Sequence, residues 1–356
     1  MAWWHIPVYL VDLASMILLS FFLGDLVDTL DKKTKISGAF IGGVLLAAVT
    51  SLPELFTSLS SIFFVNEPEY VVGDILGSII FDLVCLALET FLFLKNFRNA
   101  KIQKFHLFNG IACILMYVFA AYGFFAPTKW QLMLGDINAM SILIFLLYIL
   151  TLVLQPKEKE EDVPSSAPQA QKGLITWSLP KIWIAFTIAS LLLIGTSIAL
   201  TYLTKFLQND FPEFLSGSVA GALPLGIGTS IPEIISNAQL FRRKNYDSGF
   251  GNMIGSCTFD FAIFAFADFL SWRQWNNKMS AQGGYIISER GLFIASPDAI
   301  QFELFGLGVC ATFILFILLK IYTKVFENEK TKWLAYSATG LWAAACTMMY
   351  LLIFIL

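Results

Sequence analysis

Apolar residues run in long blocks along this chain, separated by short clusters of charge, proline and glycine. Ten blocks have about the 20 residues that a helix needs to cross hydrocarbon: 6–24, 38–64, 70–94, 104–126, 132–154, 181–203, 215–240, 248–270, 301–323 and 333–356. The pattern predicts an all-α polytopic membrane protein with ten transmembrane helices. Composition agrees, because 57% of residues are hydrophobic and only 14% are charged. A soluble domain could not cover that much apolar surface.

The one clear break in composition is 155–178. It holds Lys157-Glu158-Lys159-Glu160-Glu161-Asp162 followed by a Pro/Ser-rich run, which reads as a disordered linker. It divides five spans from five, giving a first five-helix repeat over 1–154 and a second over 179–356. Because five is odd, the second half enters the membrane from the opposite side, so the halves are expected to be inverted-topology repeats. Charge sets the orientation. Of the 23 Lys and Arg residues, 18 fall in the odd-numbered connections or at the span ends beside them. The positive-inside bias then makes the linker cytoplasmic and both termini extracellular. The N-terminus lacks the basic start of a secretory signal, so the first span is expected to stay.

Polar chemistry recurs at matching places in the two halves. The motif region 38–94 contains Thr50-Ser51-Leu52-Pro53-Glu54, then Gly73-Asp74-Ile75-Leu76-Gly77-Ser78 leading to Phe81-Asp82. The region 215–270 contains Thr229-Ser230-Ile231-Pro232-Glu233, then Gly251-Asn252-Met253-Ile254-Gly255-Ser256 leading to Phe259-Asp260. Pro53 and Pro232 lack an N–H and disturb the preceding helical turn, so carbonyls beside them need other partners at membrane depth. Ser78 and Asp82 are four apart, as are Ser256 and Asp260, so each pair shares a helical face. The glycines are also spaced by four, which lets another helix approach closely. Four helices can thus surround a cavity carrying Glu54, Asp82, Glu233 and Asp260.

Acids at membrane depth are costly. Each costs about 2.5–3.5 kcal/mol near a helix centre, on the order of 10 kcal/mol for four. Cations, protons or both must relieve it. Hydroxyl, carbonyl and carboxylate oxygens without sulfur or imidazole suit Ca²⁺, Na⁺ or Mg²⁺ rather than zinc or copper. The five cysteines all fall in spans, show no metal-ligand spacing and read as small apolar residues.

The duplicated motifs resemble the α-repeats of the calcium:cation antiporter superfamily, and most of all its prokaryotic sodium/calcium exchangers. The resemblance implies a secondary active antiporter in the cell membrane that exchanges Ca²⁺ for Na⁺ by alternating access. It implies no cofactor, inorganic cations as partners within the bilayer, and no enzymatic activity. Carried over, Glu54 and Glu233 are the shared Ca²⁺ carboxylates, with the carbonyls of Thr50 and Thr229. Ala47 carbonyl, Ser51 and Ser78 line one Na⁺ site; Gly226 carbonyl, Ser230 and Ser256 line its mirror image; Asp82 and Asp260 complete the middle. The sequence departs from the family pattern at several positions. Val49 stands for Gly, Asp74 for Asn, and Ile79 and Cys257 each for Asn. Asp82 occupies a position that is usually Asn, which leaves Ca²⁺/H⁺ exchange open beside Ca²⁺/Na⁺ exchange.

Two other classes are weaker. A channel usually rings a pore axis, whereas an inverted repeat offers two gates around one site. An enzyme finds no His-Glu-x-x-His, Gly-x-Ser-x-Gly or P-loop signature here; nothing suggests nucleic-acid binding, and protein partners are left open. Among the remaining polar residues, Glu69 and Asp247 are expected at helix starts. Glu89 and Asp268 are expected in structural or interfacial positions, Asp12 near the outer interface, and His5 and His106 in solvent at span ends.

Overall fold

Helix limits follow the punctuation of the sequence. The structure is a computed structural model that describes residues 3–33, 50–97, 104–126, 130, 132–134, 137–154, 174–215, 217–242, 244, 246–281, 292 and 308. Helix α1 spans His5–Lys33. Helix α2 spans Leu52–Val65, ending in the π-helical turn Ser61–Val65. Asn66, at φ 60°, closes that turn with its N–H on the Ser61 carbonyl; asparagine tolerates this left-handed conformation. Pro68 then opens α3, Pro68–Leu92, in the first turn, where its missing N–H breaks no helical bond. Helices α4 (Lys104–Phe125), α5 (Ala139–Val153) and α6 (Leu179–Asp210) follow. Helix α7 covers Gly217–Arg242 and α8 covers Tyr246–Ala281.

Five of these helices, α1, α3, α6, α7 and α8, are long and apolar enough to cross a membrane; α2, α4 and α5 contain shorter apolar stretches. One expected span is shortened. In place of a helix from residue 132, Met133–Leu134 pairs antiparallel with Ile137–Asn138. Asn138 ends the hairpin and caps α5, its Oδ1 accepting the Met140 N–H at 2.9 Å. The expected spans 301–323 (apart from Gly308) and 333–356 lie outside the described residues, as do 38–49 and most of the linker.

Helix directions can be read from contacts between ends. Lys205, near the end of α6, bonds Glu67 at the start of α3 at 2.5 Å, and Glu69 in the first turn of α3 abuts Gly217 at the start of α7. At the other face Glu89 meets Asn237, and Phe97 stacks on Phe241 with ring centroids 6.1 Å apart. So α3 and α7 run parallel, and α8, which turns back from the end of α7, runs opposite to α3. Helices α1 and α6 pair antiparallel: His5 meets Asp210 at 2.6 Å at one end, and Lys33 bonds the Trp177 carbonyl at the other.

Burial divides the helices into two classes. Helix α3 is almost wholly enclosed by α7, α8 and α2, whereas α1 and α6 are largely exposed along their apolar lengths. Leu10, Val11, Leu18, Ile184, Ile188, Leu191 and Leu192 all face outward. Apolar exposure on this scale fits a lipid environment and not water.

The tightest contact joins α3 to α7. A Cβ on Gly77 would stand 2.6 Å from the Cα and O of Ala222. One on Gly73 would run into the Ser218 carbonyl and come within 2.9 Å of Gly221 Cα. Backbone lies directly on backbone, as the glycine spacing predicted. On α8 the equivalent Gly251 instead makes room for the His106 ring.

Candidate functional site

The two motif copies break their helices in different ways. In the first, Ser51 leaves helical geometry at φ −94°, ψ 10°, and Pro53 sits in the opening turn of α2. In the second, the helix Gly226–Arg242 runs through Pro232, and the irregularity lies upstream in the π-helical turn Gly221–Leu225, which contains Pro224. Pro224 has no N–H to give the preceding turn, which favours the wider ring. Its carbonyl accepts the Tyr9 hydroxyl of α1 at 2.6 Å.

These breaks sit within one buried polar layer. The side chains of Thr50, Ser51, Glu54, Ser78, Asp82, Thr229, Ser230, Glu233, Ser256 and Asp260 are each no more than 5% exposed. Gly226 is buried too, and Ala47 lies outside the described residues. Hydrogen bonds join the copies across the layer. Ser51 Oγ donates to Glu233 Oε1 at 2.6 Å, Ser256 Oγ donates to the same oxygen at 3.2 Å, and the two hydroxyls are 3.5 Å apart. On the other flank Ser78 Oγ lies 3.2 Å from the Gly226 carbonyl and 3.1 Å from Thr229 Oγ1. Hydroxyls of the two motif copies therefore meet, Ser51 with Ser256 and Ser78 with Thr229.

The acids share one electrostatic environment. Glu54 lies within reach of the charges of Glu233 and Asp260, and Asp82 within reach of both as well. Both oxygens of Asp260 are buried without a hydrogen-bond donor among the described residues, Asp82 has Ser230 beside it, and Glu54 and Glu233 lie against each other. A buried acceptor left unpaired costs about 1–3 kcal/mol, more for a charge. Such oxygens suit a hard cation, a proton, or the two in turn. Among the described residues no three acidic, histidine or cysteine side chains form a ready metal-ligand cluster. A cation here would draw on hydroxyls and backbone carbonyls as well, a donor set suited to cargo that must leave again.

One contributor escaped the sequence reading. Asp74, fully buried on α3, accepts Thr57 Oγ1 of α2 at 2.6 Å and Thr229 Oγ1 of α7 at 2.9 Å. It ties α2 and α7, one helix from each motif copy, to α3. The signal was present in the departure from Asn at this position, and in a hydroxyl four residues after each motif proline. Ser236 donates to the Pro232 carbonyl at 2.8 Å, and Thr57, whose proton goes to Asp74, lies 2.8 Å from the Pro53 carbonyl.

The outlying residues fall mostly as expected. Glu69 and Asp247 lie in the first turns of α3 and α8. Glu89 and Asp268 are buried and hydrogen-bonded. The histidines differ from expectation: each is half-buried against an acid, His5 on Asp210 and His106 on Asp247 at 3.1 Å. Each joins two helices, so it finds a carboxylate where an isolated span end would have offered water.

Comparison with known proteins fits this geometry. A family profile described as "Sodium/calcium exchanger protein" matches residues 4–156 and 181–355. The chain belongs to the sodium/calcium exchanger family. Among solved structures, the H⁺/Ca²⁺ exchanger CAX matches with a TM-score of 0.62 at 12% identity, covering 99% of this chain and 89% of that one. Native YfkE matches at 0.60 and 15%, covering 99% and 92%. The sodium–calcium exchanger NCX_Mj matches at 0.56 and 17%, covering 98% of each chain. At these identities the likeness is one of fold. A comparison with curated proteins found no match. As a member of the exchanger family, within the calcium:cation antiporter superfamily, this chain is a multi-pass membrane antiporter for cations.

Proposed function

We propose that this exchanger moves Ca²⁺ in one direction and Na⁺ in the other by alternating access to the layer around Glu54 and Glu233. The observation that carries the reading is the convergence of Ser51 and Ser256, from opposite motif copies, on one oxygen of Glu233. Glu54 and Glu233 supply the Ca²⁺ carboxylates, with the carbonyls of Thr50 and Thr229. Ala47 carbonyl, Ser51 and Ser78 line one flanking Na⁺ site, and Gly226 carbonyl, Ser230 and Ser256 the other; the closeness of Ser78 to the Gly226 carbonyl and of Ser51 to Ser256 supports two adjoining sites that share one layer. Asp82 and Asp260 complete the middle.

The full plan is ten helices in two inverted repeats, with the linker cytoplasmic and both termini outside. The opposite senses of α3 and α8 support the inversion, and the Lys/Arg bias supports the orientation. A prokaryotic cell membrane is the setting that the motifs suggest. Ca²⁺/H⁺ exchange is the second reading, favoured by Asp82, an added acid buried in the central layer. Ca²⁺ uptake into proteoliposomes tests both. Uptake driven by an outward Na⁺ gradient supports the first, and uptake driven only by a pH gradient supports the second. Ca²⁺ flux that needs no counter-cation gradient overturns exchange altogether.

A further inference from the structure

Two more buried acids lie beyond the central four. Glu89 is seven residues past Asp82 on α3, two turns and about 10 Å along the helix, and is 8% exposed. Asp268 is eight residues past Asp260 on α8 and is 3% exposed. Because α3 and α8 run in opposite senses, these acids lie on opposite sides of the central layer. Glu89 lies toward the linker face: the end of α6 lies beside the start of α3, so the start of α6 lies at the face where α3 ends.

The two acids are bonded differently. Asp268 has both oxygens engaged, Oδ2 by the Ser141 hydroxyl at 2.5 Å and Oδ1 by the Leu292 N–H at 2.6 Å. That is how an acid serving the fold looks in this protein. Glu89 accepts from Asn237 Nδ2 of α7 through Oε2 alone. Its Oε1, and Oδ1 of Asn237, are buried without a donor among the described residues. Asp82 lies within reach of the Glu89 charge.

We propose that Glu89 and Asn237 form a cation waystation between the linker face and the central acids. The proposal rests on the exchange reading above. A carboxylate and an amide oxygen from two facing helices provide hard donors for Ca²⁺ or Na⁺. Two protein ligands are too few to strip the ion of water, so it is held loosely and passed on. The unpaired Oε1 of Glu89 and Oδ1 of Asn237 give a cation a stopping place on this side of the layer. Asp268 has a donor on each oxygen and offers no such undonated acceptor on the other side, so the two access routes are unequal.

The test is radioactive Ca²⁺ uptake by the full chain in oriented proteoliposomes, with Ca²⁺ presented from each side in turn. In Glu89→Gln the half-saturating Ca²⁺ concentration at the linker face rises about tenfold. It stays unchanged at the opposite face, and equilibrium Ca²⁺ binding by the detergent-solubilised protein keeps its stoichiometry. Asn237→Asp, which adds charge to the same place, shifts the linker-face value the other way and serves if Glu89→Gln fails to insert. Equal shifts at both faces, or none, overturn the waystation and leave Glu89 a structural residue. A wild-type chain that moves no Ca²⁺ under a Na⁺ or pH gradient sinks the exchange reading, and the waystation with it.

Discussion

Ser51, at the N-cap of α2, donates its hydroxyl to Glu233 of α7 at 2.6 Å, across 182 residues of sequence. The serine of one motif copy thus orients the glutamate of the other. A hydrogen bond to a charged group contributes about 1.5–3 kcal/mol. Ser51→Ala leaves Glu233 with Ser256 alone, and the half-saturating Ca²⁺ concentration in proteoliposomes should rise about tenfold or more. An unchanged value would show that this bond does not set the site.

The glutamates themselves should tolerate less. Glu54→Gln or Glu233→Gln removes a negative charge from a desolvated divalent site, where charge and geometry both count. Each should abolish Ca²⁺ exchange while the protein still inserts and elutes as a folded species. Near-normal exchange in either variant removes that residue from the site.

Asp82 separates the two coupling schemes. If it fills the hydrogen-bonding role of the usual Asn, it carries a proton throughout, and Asp82→Asn leaves Na⁺-driven exchange largely intact; this is the expected outcome. If it couples transport to protons, the variant loses pH-driven exchange selectively. Ca²⁺ flux under separate Na⁺ and pH gradients decides. Loss of Na⁺-driven flux in a normally inserted variant contradicts the expectation.

Asp74 should be forgiving in one substitution and not in another. Asn keeps one acceptor oxygen, and Thr57 can turn its proton to the Pro53 carbonyl, already 2.8 Å away. Asp74→Asn should therefore change thermal stability in detergent by no more than about 1 kcal/mol. Asp74→Leu strips both threonines of their shared acceptor and should cost about 2–3 kcal/mol. Equal losses in both variants would mean that charge, and not hydrogen-bond geometry, holds the three helices here.

Topology has its own check. Single cysteines at Ser165 and after Leu356, in a background without native cysteines, should react with impermeant reagents from opposite sides of the membrane. Labelling from one side only breaks the argument for inverted repeats.

The helices and the acids were legible because each leaves a local mark. A span is a run of apolar residues, and the motif copies match by direct comparison. Which helices face each other was not legible. Spacing places Ser78 and Asp82 on one face of α3, yet only tertiary packing sets Ser78 against Gly226 and Ser51 against Ser256. Asp74 stood out as an unusual residue, but its two threonine donors lie 17 and 155 positions away. The Met133–Asn138 hairpin had a local mark, Gly135-Asp136 between apolar pairs, but Met133, Leu134 and Ile137 are apolar enough to merge with the span that follows. His5 and His106 were read as solvated because their acidic partners lie far off in sequence.

The glycine seam between α3 and α7 bears on how this sequence can drift over time. A side chain that grows in a packed core is often accommodated by a neighbour that shrinks. At Gly73 and Gly77 the atoms in the way are the main-chain atoms of Ser218, Gly221 and Ala222, which no substitution can trim. Any replacement there must move a whole helix, and α7 carries Thr229, Ser230 and Glu233. Relatives that alter these positions should therefore differ in how α7 is seated, and no single second-site change should restore them.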